Sequence, residues 1–162
     1  MQPAIFLDRD GVINQERKDY VKNLNEFKIF SGVSEAIDLL RKNNFLIIII
    51  TNQSAINRKL LDINTLENIH KFFQEYLKKN HTSVDAIYYC PHLPEENCSC
   101  RKPKPGLILN AAKDLKIDLK KSWMIGDSQK DIEAANNAGC NSILLKSNQN
   151  LLDVIKEFIN TF

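Results

Sequence analysis

One run of six apolar residues, Phe45 to Ile50, limits the fold of this chain more than any other segment. It contains four consecutive isoleucines, and β-branched residues favour strands over helices. The run is far shorter than the roughly 20 apolar residues that a membrane-spanning helix needs. Because polar and apolar residues do not alternate within it, we expect a strand covered on both faces, as in a parallel sheet.

Short apolar runs alternate with amphipathic segments along the rest of the chain. Strands are predicted over Ala4–Leu7, Phe45–Ile50, Ala86–Tyr89, Trp123–Ile125 and Ser142–Leu145. Helices are predicted over about Val33–Asn43, Asn64–Lys79, Gly106–Lys116, Gln129–Ala138 and Leu151–Asn160. This alternation predicts an α/β fold with a doubly wound, mostly parallel, Rossmann-like sheet and right-handed crossovers. The length of 162 residues predicts a single domain over residues 1–162.

Charge and composition exclude several classes of function. Lysine and arginine total 22 against 20 aspartates and glutamates, which gives a net charge of +2. A chain with so little excess charge is not expected to bind nucleic acid or a membrane surface by general electrostatics. The first residues also lack the basic region of a secretory signal. We therefore expect a cytoplasmic protein without a nucleic-acid or membrane partner.

Acidic side chains follow two of the predicted strands. Asp8 and Asp10 come directly after the first strand, and Asp127 follows the fourth. Ligands of such sheets bind outside the carboxyl ends of the strands, so we expect these three carboxylates to lie together. Three carboxylates form an oxygen-rich site for a hard divalent cation such as Mg²⁺, and a close pair also suits nucleophilic and acid–base roles. Asp131 opens a helix and is equally well interpreted as a helix cap.

Two further segments are candidates for binding an anion. The segment Thr51–Ser54, which follows the second strand, carries two hydroxyl and two amide groups that would suit phosphate oxygens. Taken alone, such residues also form polar turns and helix caps. Arg101 and Lys102 lie in a proline-rich loop, where rigidly held cations next to a carboxylate site would offset phosphate charge.

Three of the four cysteines lie within eleven residues, together with one histidine. Cys90, His92, Cys98 and Cys100 form the pattern C-x-H-x5-C-x-C. Three thiolates and one imidazole are a complete tetrahedral set for a structural Zn²⁺, with no open position for catalysis. Clustering in one loop favours this interpretation over a disulfide framework. No metal role is predicted for the remaining cysteine and histidines, Cys140, His70 and His81.

In their order along the chain, these motifs resemble those of the haloacid dehalogenase superfamily of phosphohydrolases. The matching segments are Asp8-x-Asp10-Gly11-Val12, Thr51, Lys102, and Gly126-Asp127 with Asp131. The segments F-L-D-R-D-G-V-I-N, T-N-Q-S and C-P-H…C-x-C-R-K-P-x-P-G are similar to the zinc-containing heptose-bisphosphate phosphatase subfamily. Its members remove the 7-phosphate of D-glycero-D-manno-heptose 1,7-bisphosphate on the route to nucleotide-activated heptose. The histidinol-phosphate phosphatases share the zinc loop and are the nearest alternative, although they more often have T-N-Q-D.

The resemblance implies residue roles in an aspartyl-phosphate mechanism. Asp8 would be the nucleophile, and Asp10 would protonate the leaving sugar oxygen and then activate water. Asp8, the backbone carbonyl of Asp10, and Asp127 would hold Mg²⁺. Thr51 and Lys102 would steady the transferred phosphoryl group. The residues implied to bind the phosphorylated sugar are Lys18, Asp19, Tyr20, Asn52, Gln53, Ser54 and Arg101.

The chain departs from the subfamily at a few positions near the substrate. Ala55 and Lys59 replace the two glycines of the common segment T-N-Q-S-G-I-A-R-G, and Ser128 stands where many relatives have lysine, with Lys130 two residues further on. The catalytic set is unchanged, so these differences concern the substrate. The chain is also too short for the separate cap domain of many relatives. We therefore expect a capless monomer whose loops select the substrate.

Two other classes of protein are consistent with parts of the sequence. Phosphoacceptor signalling domains also phosphorylate an aspartate at the edge of a parallel sheet, but their acceptor follows a middle strand and they need no zinc loop. A zinc-stabilised module that binds nucleic acid or protein would account for the cysteine loop alone. Oligonucleotide binding without phosphatase activity would identify that class.

Overall fold

The computed structural model describes residues 1–162, in which five strands alternate with five α-helices. The strands are β1 (Ala4–Leu7), β2 (Leu46–Asn52), β3 (Ala86–Cys90), β4 (Trp123–Gly126) and β5 (Asn141–Leu144). The helices are α1 (Val33–Lys42), α2 (Ile63–Lys79), α3 (Gly106–Leu115), α4 (Gln129–Ala138) and α5 (Leu151–Ile159). Every predicted element is present, and its ends lie close to the predicted ones.

All five strands pair in parallel in one sheet of order β3-β2-β1-β4-β5. β1 is central, and its Phe6 lies beside Ile48 of β2 and Met124 of β4. Both faces of β1 and β2 are covered, which explains why their sequences are continuously apolar. The strand order reverses between β1 and β4, so their carboxyl ends flank the crevice where such sheets bind ligands. The prediction of a doubly wound parallel sheet is confirmed.

Helices pack on both faces of the sheet and form two separate apolar layers. On one face, α1, α2 and α5 contribute to a cluster of 27 buried residues that includes Leu40, Phe73 and Ile155. On the other face, α3 and α4 contribute to a smaller cluster of 14 residues that includes Ile108 and Ala134. Burial on both sides fixes the sheet between the helices, so the loops at its carboxyl edge start from rigid strand ends.

Two long loops surround the carboxyl edge, and neither contains a separate cap domain. Residues 8–32 join β1 to α1 with one 3-10 helix over Leu24–Glu26, and residues 91–105 join β3 to α3 with another over Pro94–Glu96. Thr51 and Asn52, which we predicted to follow the second strand, are its last two residues because Asn52 stays in register with Cys90 of β3. None of the helices is long and apolar enough to span a membrane.

Candidate active site

A cavity of about 450 Å³ opens at the carboxyl edge of the sheet, between the ends of β1, β2 and β4 and the loop after β3. Nearly all of its lining residues are polar or charged. The predicted site residues that line it are Asp8, Asp10, Lys18, Tyr20, Thr51, Asn52, Ser54, Arg101, Lys102 and Asp127. The topology therefore brings together motifs that lie up to 119 residues apart in the chain, as the numbering of Asp8 and Asp127 shows.

Three carboxylates meet at the floor of the cavity. Oxygens of Asp8, Asp127 and Asp131 all lie within 4.8 Å of one another. Burial raises the pKa of Asp8 to about 8; the charge of Lys102 opposes this shift, whereas the charges of Asp131 and Asp10 add to it. Burial and the charge of Asp131 also raise the pKa of Asp127. A divalent cation would relieve this crowding of negative charge, so the oxygen donors present fit Mg²⁺.

From the sequence, Asp131 could be a helix cap or part of the site chemistry. In the structure it caps a helix and also contacts Lys102. Its Oδ2 accepts hydrogen bonds from the backbone N–H and the hydroxyl of Ser128, at 3.2 and 3.1 Å, and so caps α4. Its Oδ1 accepts from Lys102 Nζ at 2.7 Å. The side chain is fully buried against Gly126, where a Cβ atom would overlap the carboxyl group. Asp131 therefore connects the start of α4 to Lys102.

Lys102 places a buried positive charge between two of the carboxylates. Its Nζ donates to Asp8 Oδ1 at 2.8 Å, to Asp131 Oδ1 at 2.7 Å and to the carbonyl oxygen of Ile50 at 3.0 Å. Burial acts to lower the pKa of Lys102, but the charges of Asp8 and Asp131 outweigh burial and raise it above its ordinary value. Lys102 is therefore a fixed ammonium group directed at the floor of the cavity.

Asn52 holds the loop that carries Lys102. Its Nδ2 donates to the carbonyl oxygen of Lys102 at 3.1 Å, and its Oδ1 accepts from the backbone N–H of the same residue at 3.0 Å. Asn52 lines the cavity, as expected of a residue predicted to bind substrate, but both polar ends of its side chain are used by the loop. These contacts give Asn52 a part in orienting Lys102.

Asp10 lies in a hydrogen-bond network next to the carboxylate cluster. Its Oδ1 accepts from Arg9 Nε at 3.0 Å, Arg9 Nη2 at 2.9 Å and Asn14 Nδ2 at 2.8 Å. Its Oδ2 accepts from Gln53 Nε2 at 3.0 Å, and the same Gln53 amide donates to Thr51 Oγ1 at 2.9 Å. Gln53, predicted to bind substrate, is buried outside the cavity lining. In this structure it orients Asp10 and Thr51.

Residues before α1 form one wall of the cavity. Lys18 and Tyr20 line it as predicted, whereas Asp19 lies outside it. The exposed Asp19 carboxylate accepts hydrogen bonds from Lys22 and Arg17, which lower its pKa to about 2. Five other residues that line the cavity were not predicted as site residues from the sequence: Glu16, Arg17, Val21, Ser128 and Lys130. The only feature of the sequence that could have indicated these residues is their proximity to a motif, and proximity does not fix the direction of a side chain.

Sequence reasoning also missed Arg9 and His70. Arg9 stands between the two aspartates of the D-x-D motif and is 1% exposed. One of its guanidinium nitrogens, Nη1, lies 3.1 Å from Nε2 of His70 on α2. The only sequence signal for Arg9 was its place two residues after a fully buried strand, where a buried charge must find a partner.

The loop after β3 brings its three cysteines and His92 into one cluster. The sulfur–sulfur distances are 3.0 Å for Cys90–Cys100, 3.6 Å for Cys90–Cys98 and 3.7 Å for Cys98–Cys100. His92 Nδ1 lies 3.3 Å from Cys90 Sγ and 3.2 Å from Cys100 Sγ. Four-coordinate Zn²⁺ with bonds of about 2.3 Å to sulfur needs sulfurs roughly 3.8 Å apart. The two distances from Cys98 lie near this value and the Cys90–Cys100 distance is shorter, while the donor set of three thiols and one imidazole fits this ion. The cysteines form no disulfide.

Comparison with known proteins gives concordant results. A family model described as HAD-hydrolase-like matches residues 99–158. The D-glycero-beta-D-manno-heptose-1,7-bisphosphate 7-phosphatase of Helicobacter pylori strain J99 is 44% identical over 90% of this chain and 84% of that protein. The protein of the same name from Pseudomonas aeruginosa is 39% identical over 88% and 80%. The crystal structure of the D,D-heptose 1,7-bisphosphate phosphatase from B. bronchiseptica, complexed with magnesium and phosphate, covers 99% of both chains with a TM-score of 0.90 and 33% identity.

Proposed function

Because the chain belongs to the haloacid dehalogenase-like hydrolases, in the family of the heptose-1,7-bisphosphate 7-phosphatases, we propose that it removes the 7-phosphate of D-glycero-β-D-manno-heptose 1,7-bisphosphate. The observation that carries this proposal is the placement of Asp8 at the end of β1, hydrogen-bonded to Lys102 and within reach of Asp127. The β anomer is proposed because the H. pylori and P. aeruginosa relatives are named for it.

Asp8 acts as the nucleophile in the proposed reaction. Its Oδ1 accepts hydrogen bonds from Lys102 Nζ at 2.8 Å and from the backbone N–H of Arg9 at 2.9 Å, so the carboxylate is held in one orientation. Its Oδ2 attacks the phosphorus atom, and the bond from phosphorus to the sugar oxygen breaks as the aspartyl-phosphate forms. Lys102 and the Thr51 hydroxyl stabilise the phosphoryl oxygens, which carry the charge in this type of reaction.

Asp10 moves the protons in both half-reactions. In the first, it gives a proton to the departing sugar oxygen, which leaves as an alcohol. In the second, it accepts a proton from water, whose oxygen attacks phosphorus and releases inorganic phosphate from Asp8. Asp10 is then protonated again, ready for the next turnover, and Asp8 is restored as a carboxylate.

Two metal sites complete the proposal. Asp8, Asp127 and the backbone carbonyl of Asp10 would hold Mg²⁺, with Asp131 beside them. When bound, the ion would supply positive charge that offsets the phosphoryl oxygens. Zn²⁺ would be held by the set Cys90, His92, Cys98 and Cys100 and would fix the loop that carries Arg101 and Lys102.

Basic residues near the cavity would bind the phosphate that is not removed. Arg17, Lys18, Arg101 and Lys130 line the cavity, and Arg101 and Lys130 also border an adjoining cavity of about 230 Å³ together with Lys104. Arg17 is paired with Asp19 and Glu26, whereas Lys18, Arg101 and Lys130 make no ion pair with a carboxylate. A bisphosphate would use these three cations, whereas histidinol phosphate has only one phosphate and would leave them without an anionic partner. The presence of cations other than Lys102 at the cavity favours the heptose bisphosphate over histidinol phosphate.

The proposal takes the chain to act as a monomer on a small metabolite, without a nucleic-acid partner. The four cysteines are unpaired, which fits a reducing compartment such as the cytoplasm.

The test is phosphate release from a panel of esters in the presence of Mg²⁺. The panel contains both anomers of the heptose bisphosphate, histidinol phosphate and 4-nitrophenyl phosphate. We expect the β anomer to be hydrolysed with the highest kcat/KM, and we expect Asp8→Asn to abolish turnover while its circular dichroism spectrum stays unchanged. Asp38→Asn, on the exposed face of α1, is the matched control and should retain full activity. Equal, slow hydrolysis of all four esters would contradict the substrate assignment, and an active Asp8→Asn protein would contradict the nucleophile.

A further inference from the structure

Two buried residues that the proposed mechanism does not use, Arg9 and His70, form a hydrogen-bonded chain behind Asp10. Arg9 is 1% exposed and His70 is 8% exposed, so neither can exchange its partners for bulk water. The chain runs from His70 Nε2 to Arg9 Nη1 at 3.1 Å, and from Arg9 Nε and Nη2 to Asp10 Oδ1 at 3.0 and 2.9 Å. It joins α2 to the loop that follows β1.

The direction of the hydrogen bonds in this chain is fixed by chemistry. A guanidinium group has donors and no acceptor, so His70 Nε2 must accept from Arg9 and its ring proton must lie on Nδ1. Burial and the charge of Arg9 lower the pKa of His70 to about 3, which keeps the imidazole neutral at physiological pH. The guanidinium is held by Asp10 on the opposite side, and it also lies 5.6 Å from the centre of the Phe27 ring.

The two carboxylate oxygens of Asp10 have different numbers of hydrogen-bond donors. Arg9 directs both Nε and Nη2 at Oδ1 instead of one at each oxygen, and Asn14 adds a third donor to that atom at 2.8 Å. Oδ2 has a single protein donor, the amide of Gln53 at 3.0 Å. Oδ1 is thus fully occupied as an acceptor, and only Oδ2 retains a free lone pair.

We propose that Arg9 and His70 are positioning residues that hold Asp10 so that Oδ2 is the atom that exchanges protons with the leaving group and with water. His70 contacts neither substrate nor reacting atoms; it acts by fixing the guanidinium of Arg9, which in turn fixes Asp10. Without the imidazole acceptor, Arg9 Nη1 would lose its partner in a buried site, and the guanidinium would shift to recover one. The inference rests on the proposed function, since it assigns the proton-carrying oxygen of that reaction.

The test compares a poor and a good leaving group in His70→Leu. The sugar alkoxide needs a proton as it departs, whereas 4-nitrophenolate departs as a stable anion. We expect the first-turnover rate of aspartyl-phosphate formation to fall by about 10- to 100-fold for the heptose bisphosphate, and by less than about 3-fold for 4-nitrophenyl phosphate, with KM unchanged for both. His70→Gln, whose side-chain oxygen can accept from Arg9, should recover most of the lost rate.

Two further measurements separate this inference from a structural effect and from the proposed function. Leu77→Ala removes a buried side chain from the same helix without touching Arg9, and it should leave the ratio of the two rates at the wild-type value. Equal slowing of both esters by His70→Leu, or no recovery in His70→Gln, would overturn the positioning role. If wild-type protein released no phosphate from the heptose bisphosphate, the proposed substrate would fail. The same ratio would then be measured with glycerol phosphate as the poor leaving group, and it would support or overturn the positioning role on its own.

Discussion

At the scale of single residues, Lys102 shows how the site accommodates several charges away from water. The ammonium group has three acceptors within 3.0 Å, and two of them are carboxylates. A buried cation without such partners would lose its proton or destabilise the fold. Because Asp131 also caps α4, the same carboxylate stabilises a helix and fixes the position of the Lys102 charge at the floor of the cavity.

His70 makes a testable contribution to the pH dependence of stability. Its pKa is lowered to about 3 in the folded state from 6.5 in the unfolded state, because of burial and the charge of Arg9. Between these values the unfolded chain binds one more proton than the folded chain, so this residue reduces stability as the pH falls below 6.5. We expect wild type to lose about 2 kcal/mol relative to His70→Gln between about pH 7.5 and pH 5.

Urea unfolding of both proteins at the two pH values measures this difference. Wild type is compared with His70→Gln at the same pH, so that the effects of protonating the carboxylates and the cysteine and histidine cluster are the same in both proteins and cancel. A difference between the two proteins that stays constant with pH would show that His70 binds its proton equally in both states.

At the scale of elements, the loop after β3 is held from two sides. The cysteine and histidine cluster lies on one side of Lys102, and the Asn52 side chain binds the backbone of Lys102 directly. The backbone N–H of Arg101 also donates to Cys98 Sγ at 3.3 Å. Burial opposes it, yet this contact and others lower the pKa of the Cys98 thiol to about 7, which favours the thiolate that a metal binds.

We therefore expect zinc removal to release Lys102 as well as the ligands. The double substitution Cys98→Ser and Cys100→Ser should reduce zinc from about one ion per chain to none, measured by elemental analysis, because too few thiolates remain to hold it. We expect kcat to fall at least about tenfold, since phosphoryl transfer depends on positioned charge. Cys140→Ser, outside the loop, is the control and should keep its zinc. Full activity in a zinc-free double variant would show that Asn52 alone holds the loop.

The turn after β2 carries a residue in a strained conformation. Lys59 has φ of 62°, in the left-handed region that costs side-chain-bearing residues about 1–2 kcal/mol. Glycine is common at this position in the subfamily, and glycine adopts this conformation without strain. Lys59→Gly should therefore raise the free energy of unfolding by up to about 1 kcal/mol, after allowing for the greater flexibility of glycine in the unfolded chain.

The control for this substitution lies inside a helix. Lys71→Gly places the same residue change in α2, where it should lower the free energy of unfolding by about 1 kcal/mol. Urea unfolding of the two variants should thus give changes of opposite sign. Destabilisation by both would mean that the Lys59 side chain makes contacts worth more than the strain.

The sequence was sufficient to predict elements and the residues at strand ends, because both depend on local patterns. Apolar runs marked β1 and β2, and the residues that follow a strand in a parallel sheet must lie at its carboxyl edge. Contacts made across the fold were not predictable: Asn52 and Lys102 are 50 residues apart, and Arg9 and His70 are 61 residues apart. The first pair depends on the path of the loop after β3 and the second on how α2 is rotated against the sheet, and no local pattern encodes either.

At the scale of the whole molecule, the central position of β1 explains how so short a chain can build the site without a cap. β1 has β2 on one side and β4 on the other, so Asp8 lies between the ends of both neighbours. Loops from β1 and β3 then supply the walls of the cavity. The motif glycines contribute close packing, since a Cβ atom at Gly11 would overlap the Asp127 carboxylate.

The distribution of charge over the molecule leads to a prediction about salt. The net charge is only +2, yet one cavity is lined by four basic residues in addition to the buried Lys102: Arg17, Lys18, Arg101 and Lys130. Attraction between these exposed cations and a phosphorylated substrate is screened within about 8–10 Å at physiological ionic strength. A substrate with two phosphates is attracted more strongly by these cations than a substrate with one. We therefore expect KM for the heptose bisphosphate to rise several-fold between about 0.05 and 0.5 M KCl, and KM for 4-nitrophenyl phosphate to change less.

Steady-state kinetics of two lysine variants assign this salt dependence to the cavity. Lys130→Gln should raise KM for the bisphosphate at low salt and weaken its dependence on KCl, because one of the four cations is removed. Lys156→Gln, on α5 and outside the cavity lining, changes the net charge equally and should behave as wild type. If both variants shifted KM by the same amount, the attraction would come from the net charge of the molecule, and the cations around the cavity would have no special part in binding the second phosphate.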